Sequence, residues 1–243
     1  MIQEFMRYGY KIVEFDEKAD VYIVNTCTVT NMADRKSRQM LRRVKELNPE
    51  AILVAVGCYA QVAKKELEKI LEIDLILGNN EKKNIYALVD EMLNEKNGKE
   101  VNALVKNHTT TNKKIDVTDV LHCEEYVDFG AVTFTEKTRA VIKVQDGCDR
   151  FCSYCIIPYA RGHIRSRNLE NVVCEITKIA EQGIKEVVIT GIHLASYGRD
   201  FKDKDFKLID LLEEINKIDG IKRIRLRFFR ANTNNGRICR KTF

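Results

Sequence analysis

Apolar positions in this chain follow two alternating periods. Runs of strand length occur at residues 20–25 (DVYIVN), 51–56 (AILVAV) and 75–77, and between them apolar residues recur at helical spacing. The first eight residues predict a helix with Phe5 and the Ile2/Met6 pair inward, stopped at Gly9, with a short strand over 11–15. Asn31, with Asp34 three residues on, opens a helix whose Ala33, Ser37, Met40, Leu41, Val44 and Leu47 keep one face apolar until Asn48-Pro49. The run at 51–56 is apolar at every position, which suits a parallel strand covered on both faces. Helices over about 61–71 and 82–95 flank the third run. Strand and helix alternating at this rhythm predict an α/β, doubly wound parallel sheet.

From 96 to 137 the periodicity lapses. Asn97-Gly98, a threonine run at 109–111 and short β-like pieces predict a linker, and His108, His122 and Cys123 are assigned no chemistry there. A strand over 138–145 restarts the pattern. A helix capped by Asn168 follows, with Val172, Val173, Ile176, Ile179 and Ala180 inward and Gly183 at its end. A strand over 186–192, a helix over 208–218 ended by Gly220 and a strand over 221–226 then predict part of a β/α barrel. The expected division is residues 1–98, a linker at 99–137, a partial barrel at 138–226 and a basic tail at 227–243.

Composition adds three constraints. The 243 residues leave room for two domains, and a hydrophobic content of 44% supports real cores. Eight cysteines without an apolar leader stretch point to reduced thiols and a cytoplasmic protein. No apolar run approaches the ~20 residues of a membrane span, so no membrane partner is expected. The net charge of +5 is a property of the tail, where every charged residue from Lys222 onward is basic.

The chemistry concentrates in QDGCDRFCSYCIIPY, residues 145–159. Cys148, Cys152 and Cys155 place three soft ligands in one loop, suited to an iron-sulfur cluster or to zinc. A four-iron cubane on three cysteines keeps one iron open to an exchangeable ligand, which implies chemistry beyond electron storage. Phe151, Tyr154, Ile156 and Ile157 interleave with the thiols and are expected to form a dry shell over them. Zinc remains the alternative, with His163 or Cys174 as fourth ligand. Cys27 and Cys58 each follow a predicted strand one βαβ unit apart and are expected at the same sheet edge, where open α/β sheets bind ligands.

The three-cysteine array, with Tyr154 before its last cysteine, resembles the signature of the radical S-adenosylmethionine (SAM) enzymes. Together with NTCTVTNMADRKSRQ from Asn25, VGCYAQ from Val56, QDGCDRFCSYCIIPYARGHIRSR from Gln145 and TGIHLASYGRD from Thr190, it makes the chain resemble the methylthiotransferases. The resemblance implies a flavodoxin-like N-terminal domain followed by a radical SAM barrel. It also implies a SAM-binding 4Fe-4S cluster on Cys148, Cys152 and Cys155, and an auxiliary 4Fe-4S cluster with Cys27 and Cys58 as two of its three ligands. Tyr154, Gly191, Tyr197 and Arg165 fall where SAM-pocket residues would lie. Arg161, Arg165 and Arg167 are further candidates for the SAM carboxylate or RNA phosphate, and Arg35, Lys36, Arg38, Arg42, Arg43 and Lys45 for RNA backbone.

The wording is most similar to the branch that adds a methylthio group to C2 of threonylcarbamoyladenosine 3′ of the tRNA anticodon. Isopentenyladenosine is the near alternative, and a non-catalytic metal-binding fragment remains open. The implied partners are a tRNA anticodon stem-loop and a reductant such as flavodoxin or ferredoxin. The resemblance implies that one SAM methylates a cluster sulfur and a second, reductively cleaved, gives the radical that activates the adenine carbon.

Two departures from the family pattern stand out. The strand and glycine-cysteine pair expected to supply the third auxiliary ligand would precede Met1. After Leu226 the family reads roughly G-S-L-E-P, whereas this chain reads RFFRANTNNGRICRKTF, which an out-of-frame translation of such codons explains. The expectation is therefore a partial barrel and a chain weakly active or inactive on tRNA.

Overall fold

The computed structural model describes residues 1–98, 113–128, 130, 138–202 and 206–227; His108, the threonine run and the tail from residue 228 lie outside them. The chain divides into two compact units, Met1–Val120 with Cys152–Arg161, and Leu121–Phe151 with Gly162–Phe243.

The first unit runs α1 (Ile2–Arg7), β1 (Val21–Thr26), α2 (Asn31–Leu47), β2 (Ile52–Gly57), α3 (Cys58–Val62), α4 (Lys64–Glu68), β3 (Leu75–Leu77), α5 (Ile85–Lys96) and β4 (Lys114–Asp116), joined by α6 (Ile157–Arg161). Its strands are all parallel in the order β1-β2-β3-β4. Every residue of β2 is buried, the physical counterpart of its unbroken apolar run. Leu53 and Ala55 face Leu41, Val44 and Leu67 on one side of the sheet, while Ile52, Val54 and Val56 join Phe5, Leu88 and Val89 on the other.

Local details differ from the sequence reading for identifiable reasons. A six-residue α1 offers only Phe5 to the core, packed edge-on to Tyr10 and Tyr86, and Ile2 and Met6 are exposed. Residues 11–15 form no strand; Tyr22 Oη instead ties the approaching loop by donating to the Glu17 carbonyl and accepting from Ala19 N–H. The helix expected over 61–71 breaks at Ala63, whose φ of −112° and ψ of 33° leave the helical region. Met40 is exposed on α2, whose buried residues are Ser37, Leu41 and Val44. The stretch expected as linker contributes β4, which extends the first sheet beside β3.

The second unit holds β5 (Ala140–Asp146), β6 (Arg165–Ser166), α7 (Leu169–Glu181), β7 (Glu186–Gly191), α8 (Leu208–Asn216) and β8 (Arg223–Arg227). Its sheet order is β6-β5-β7-β8, with β5, β7 and β8 parallel and β6 antiparallel. Ile142, Val144, Val187 and Ile189 pack against Val172, Ile176 and Ile179 of α7 and Leu211 and Ile215 of α8. Asn168 caps α7 by accepting from Glu170 N–H at 2.8 Å. Among the described residues β8 is the sheet's last strand, with Arg223, Arg225 and Arg227 outward and the first two paired with Glu186.

Candidate functional site

Two groups of cysteines leave the units, and each is set by its own local chemistry. In the first unit, Thr26 and Gly57 are register partners at the ends of β1 and β2, so Cys27 and Cys58 begin from adjacent positions on one sheet edge. Thr26 Oγ1 donates to the Val56 carbonyl at 2.6 Å and accepts from Ala60 N–H at 3.2 Å, stitching the two strand ends together. Gly57 has φ of 106°, and a Cβ there would lie 2.3 Å from the Thr26 carbonyl oxygen, so no other residue fits. Thr30 caps α2 just beyond, accepting from Ala33 N–H at 3.1 Å.

The Cys58 sulfur receives two donors. Arg161 Nε lies 3.1 Å away and Asn79 Nδ2 lies 3.7 Å away. Asn79 follows β3 on the same edge as the cysteines, and its amide also donates to the Ala160 carbonyl at 2.7 Å. Asn79 carried no expectation from the sequence, and Arg161 was expected at the SAM carboxylate or an RNA phosphate. The available signal was the polar Gly78-Asn79-Asn80 step directly after an apolar strand.

In the second unit, β5 delivers the loop that carries Cys148. A register shift between Lys143 and Gln145 turns Gln145 inward, fully buried. Its Nε2 donates to the carbonyls of Asp146 and Gly147 at 2.7 and 2.8 Å, and its Oε1 accepts from His193 N–H at 2.7 Å. Gly191 sits beneath this side chain, where a Cβ would come within 2.9 Å of Gln145 Cβ. Gly147 has φ of 72° and faces the His163 carbonyl too closely for any Cβ. Cys148 N–H donates to the Gly162 carbonyl at 3.0 Å, and Asp149 Oδ1 holds both His163 Nδ1 at 2.7 Å and Ile164 N–H at 3.1 Å. Gln145 was not among the predicted site residues, although it is the side chain that fixes the loop's base.

Several predicted residues have other occupations. Tyr154 is 83% exposed and Phe151 is also exposed, while Ile156 and Ile157 are half-buried, so two of the four residues expected to form a dry shell lie open to solvent. Tyr197, expected in the SAM pocket, is 2% exposed; its hydroxyl donates to the Arg167 carbonyl at 2.9 Å and its ring meets Phe201 edge-on. Burial pushes its pKa well above the usual phenol range, with Asp200 adding to the effect. Arg165 is 2% exposed on β6, a position in the sheet and not on an open surface. Arg167 is committed to Asp128 at 2.7 Å and to Glu175 on α7, so it is not offered to a substrate. Burial works against its charge, yet those two carboxylates hold its pKa above the ordinary guanidinium value. On α2, Arg38 bonds Tyr59 and Lys45 bonds the Ala51 carbonyl, while Arg35, Lys36, Arg42 and Arg43 remain exposed and Arg43 pairs with Asp16.

Cys27, Cys58, Cys148, Cys152 and Cys155 are all free thiols; Cys27 and Cys152 are exposed and the others half-buried. Among the described residues no three His, Cys, Asp or Glu side chains converge as a single metal ion requires. A tetrahedral zinc, with Zn–S bonds of about 2.3 Å, would draw its sulfurs to about 3.8 Å of one another. A cubane spreads its cysteines over outer corners, and three soft donors from one loop, one exposed and two half-buried, are the donor chemistry such a group takes. His163, a zinc candidate, is held by Asp149, and Cys174 is exposed on α7. Cys27 and Cys58 are the two free thiols that the resemblance assigns to an auxiliary set.

Comparison with known proteins bears on the family. Residues 1–78 match the uncharacterized protein family UPF0004, and residues 142–238 match the radical SAM superfamily. The chain is 43% identical over 92% of its length to the threonylcarbamoyladenosine tRNA methylthiotransferase MtaB of Aquifex aeolicus, covering 50% of that protein. It is 37% identical over 95% of its length to MtaB of Bacillus subtilis, covering 48% of it. The chain thus spans about half the length of the curated relatives it matches. Among solved structures, the radical SAM methyltransferase TsrM of Kitasatospora setae shares the fold, with a TM-score of 0.50 at 18% identity over 87% of this chain and 42% of that one. A UPF0004 segment and a radical SAM segment in this order, each carrying its cysteines at a strand end or in the loop after one, place the chain in the radical SAM methylthiotransferase family.

Proposed function

We propose that this chain is part of a tRNA methylthiotransferase that modifies C2 of N6-threonylcarbamoyladenosine 3′ of the anticodon. The observation that carries the reading is the loop after β5. It presents Cys148, Cys152 and Cys155 as free thiols, on a base that Gln145, Gly147 and Asp149 hold. These three residues would hold the SAM-binding cluster, and Cys27 and Cys58 two corners of the auxiliary one.

When bound, the cluster and SAM supply the one-electron chemistry needed at an aromatic C–H too weakly acidic for any side-chain base. The chain's own residues position. Gln145 fixes the loop's departure from β5, and Gly191 leaves room for it. Thr26 and Gly57 fix the spacing of Cys27 and Cys58. Arg35, Lys36, Arg42 and Tyr154 are exposed; on this reading the three cations of α2 would meet phosphates of an anticodon stem-loop and Tyr154 an adenine ring. A small electron carrier of the flavodoxin or ferredoxin class would supply the reducing equivalents.

Nucleoside analysis of total tRNA tests the reading. A strain with the gene deleted should lose the methylthio form of threonylcarbamoyladenosine and accumulate the unmodified one. Loss of methylthio-isopentenyladenosine instead, or an unchanged nucleoside profile, would overturn it.

A further inference from the structure

We propose that Arg161 and Asn79 are positioning residues for the Cys58 sulfur, holding it as an anionic ligand at the end of β2. The inference rests on the reading of Cys58 as an auxiliary-cluster ligand.

The geometry lies within the first unit. Arg161 Nε is 3.1 Å from Sγ, so a permanently charged N–H is directed at a soft acceptor. Asn79 adds a neutral donor at 3.7 Å. Its orientation is fixed from outside the cysteine, since the Ala160 carbonyl can only accept and therefore faces Nδ2 at 2.7 Å, while Asn79 N–H donates to Gln61 Oε1 at 2.9 Å. Asn79 is 6% exposed, so water competes little for these contacts. The result is one sulfur with two N–H donors, one cationic, at the end of a fully buried strand. Such donors stabilise the more negative state of a thiolate-bound centre and raise its reduction potential.

The arrangement also has a topological content. Arg161 ends the segment Cys152–Arg161, the same stretch that carries Cys152 and Cys155. Cys152, Cys155 and the cation on Cys58 therefore belong to one ten-residue segment of the first unit.

The test uses the full chain with Cys148, Cys152 and Cys155 changed to Ala, so that Cys27 and Cys58 remain. After anaerobic reconstitution with iron, sulfide and a small thiol that stands in for the third ligand, iron content, the EPR spectrum of the reduced protein and the midpoint potential are measured. Arg161→Met should lower the midpoint and alter the spectrum, Arg161→Lys should recover most of the shift, and Asn79→Ala should give a smaller shift in the same direction. Circular dichroism identifies any variant that fails to fold, in which case Arg161→Lys and Asn79→Ala carry the comparison. An unchanged midpoint and spectrum in folded variants would overturn the proposal. A parent chain that builds no second cluster would overturn it too, because Cys58 would then hold no centre to tune. The reading of the loop is judged separately, by reductive SAM cleavage in the chain with its three loop cysteines intact.

Discussion

The two units present sulfur by opposite means. In the first, Cys27 and Cys58 extend from strands paired along six register positions, and their spacing belongs to the sheet itself. In the second, Cys148 leaves a strand through a left-handed glycine into a loop held by side-chain and carbonyl contacts. Sheet-borne thiols are rigid and follow from the hydrophobic pattern. Loop-borne thiols, of which Cys152 is exposed and Cys148 and Cys155 half-buried, have a geometry that depends on groups the pattern does not reveal.

The sharpest way to break this comparison is chemical. Cys152→Ala should abolish reductive cleavage of SAM to 5′-deoxyadenosine after anaerobic reconstitution, while Cys27→Ala should leave that half-reaction near wild type; equal losses would erase the division of labour.

Stability gives the next contrast. Arg167→Met in the second unit strands Glu175 and Asp128 without their cation and should cost about 3–5 kcal/mol in urea unfolding. Arg38→Met in the first unit, on a surface pair with Glu66, should cost no more than about 1 kcal/mol.

Backbone strain separates strand ends from open turns on a smaller scale. Gly57→Ala should destabilise by about 3 kcal/mol, since a positive φ is joined to overlap with the Thr26 carbonyl. Gly9→Ala has a similar φ of 84° but open space, and should cost about 1 kcal/mol. Thermal melts of the two variants measure the difference.

The smallest expected effect is alkaline. Burial, with Asp90 adding to it, raises the Tyr10 pKa from 10.0 to about 12. Its folded pKa exceeds the unfolded one, so its contribution is complete below pH 10 and fades as pH rises through about 12. Tyr10→Phe should remove that part of the alkaline loss, read from unfolding midpoints across the same range.

Much of the architecture was legible because strands here are apolar at every position or nearly so. Val21–Thr26, Ile52–Gly57, Leu75–Leu77, Ala140–Asp146 and Glu186–Gly191 all lie within a residue or two of the expected bounds. β4 was expected only as unplaced sheet structure within the linker, because Lys114-Ile115-Asp116 has a polar residue on each side of one isoleucine. It is held by its register with β3 and by the pairing of Lys114 with Glu91 and Glu95. The cysteines were singled out from their spacing, whereas residues near them were placed by motif alone. Position in a motif does not say which way a side chain turns, hence the expectation of Tyr197 and Arg165 in a pocket when the sheet and core enclose them. Gln145, Asn79 and Arg161 act through hydrogen bonds to partners far along the chain, which no local pattern encodes.

The hydroxyl of Thr26 reaches the carbonyl of one neighbour and the amide of another, both beyond its own strand. A crossbar of that kind makes thermal jitter in the two adjoining thiols collective, so their separation should hold steady on warming while more distant parts of the edge begin to breathe.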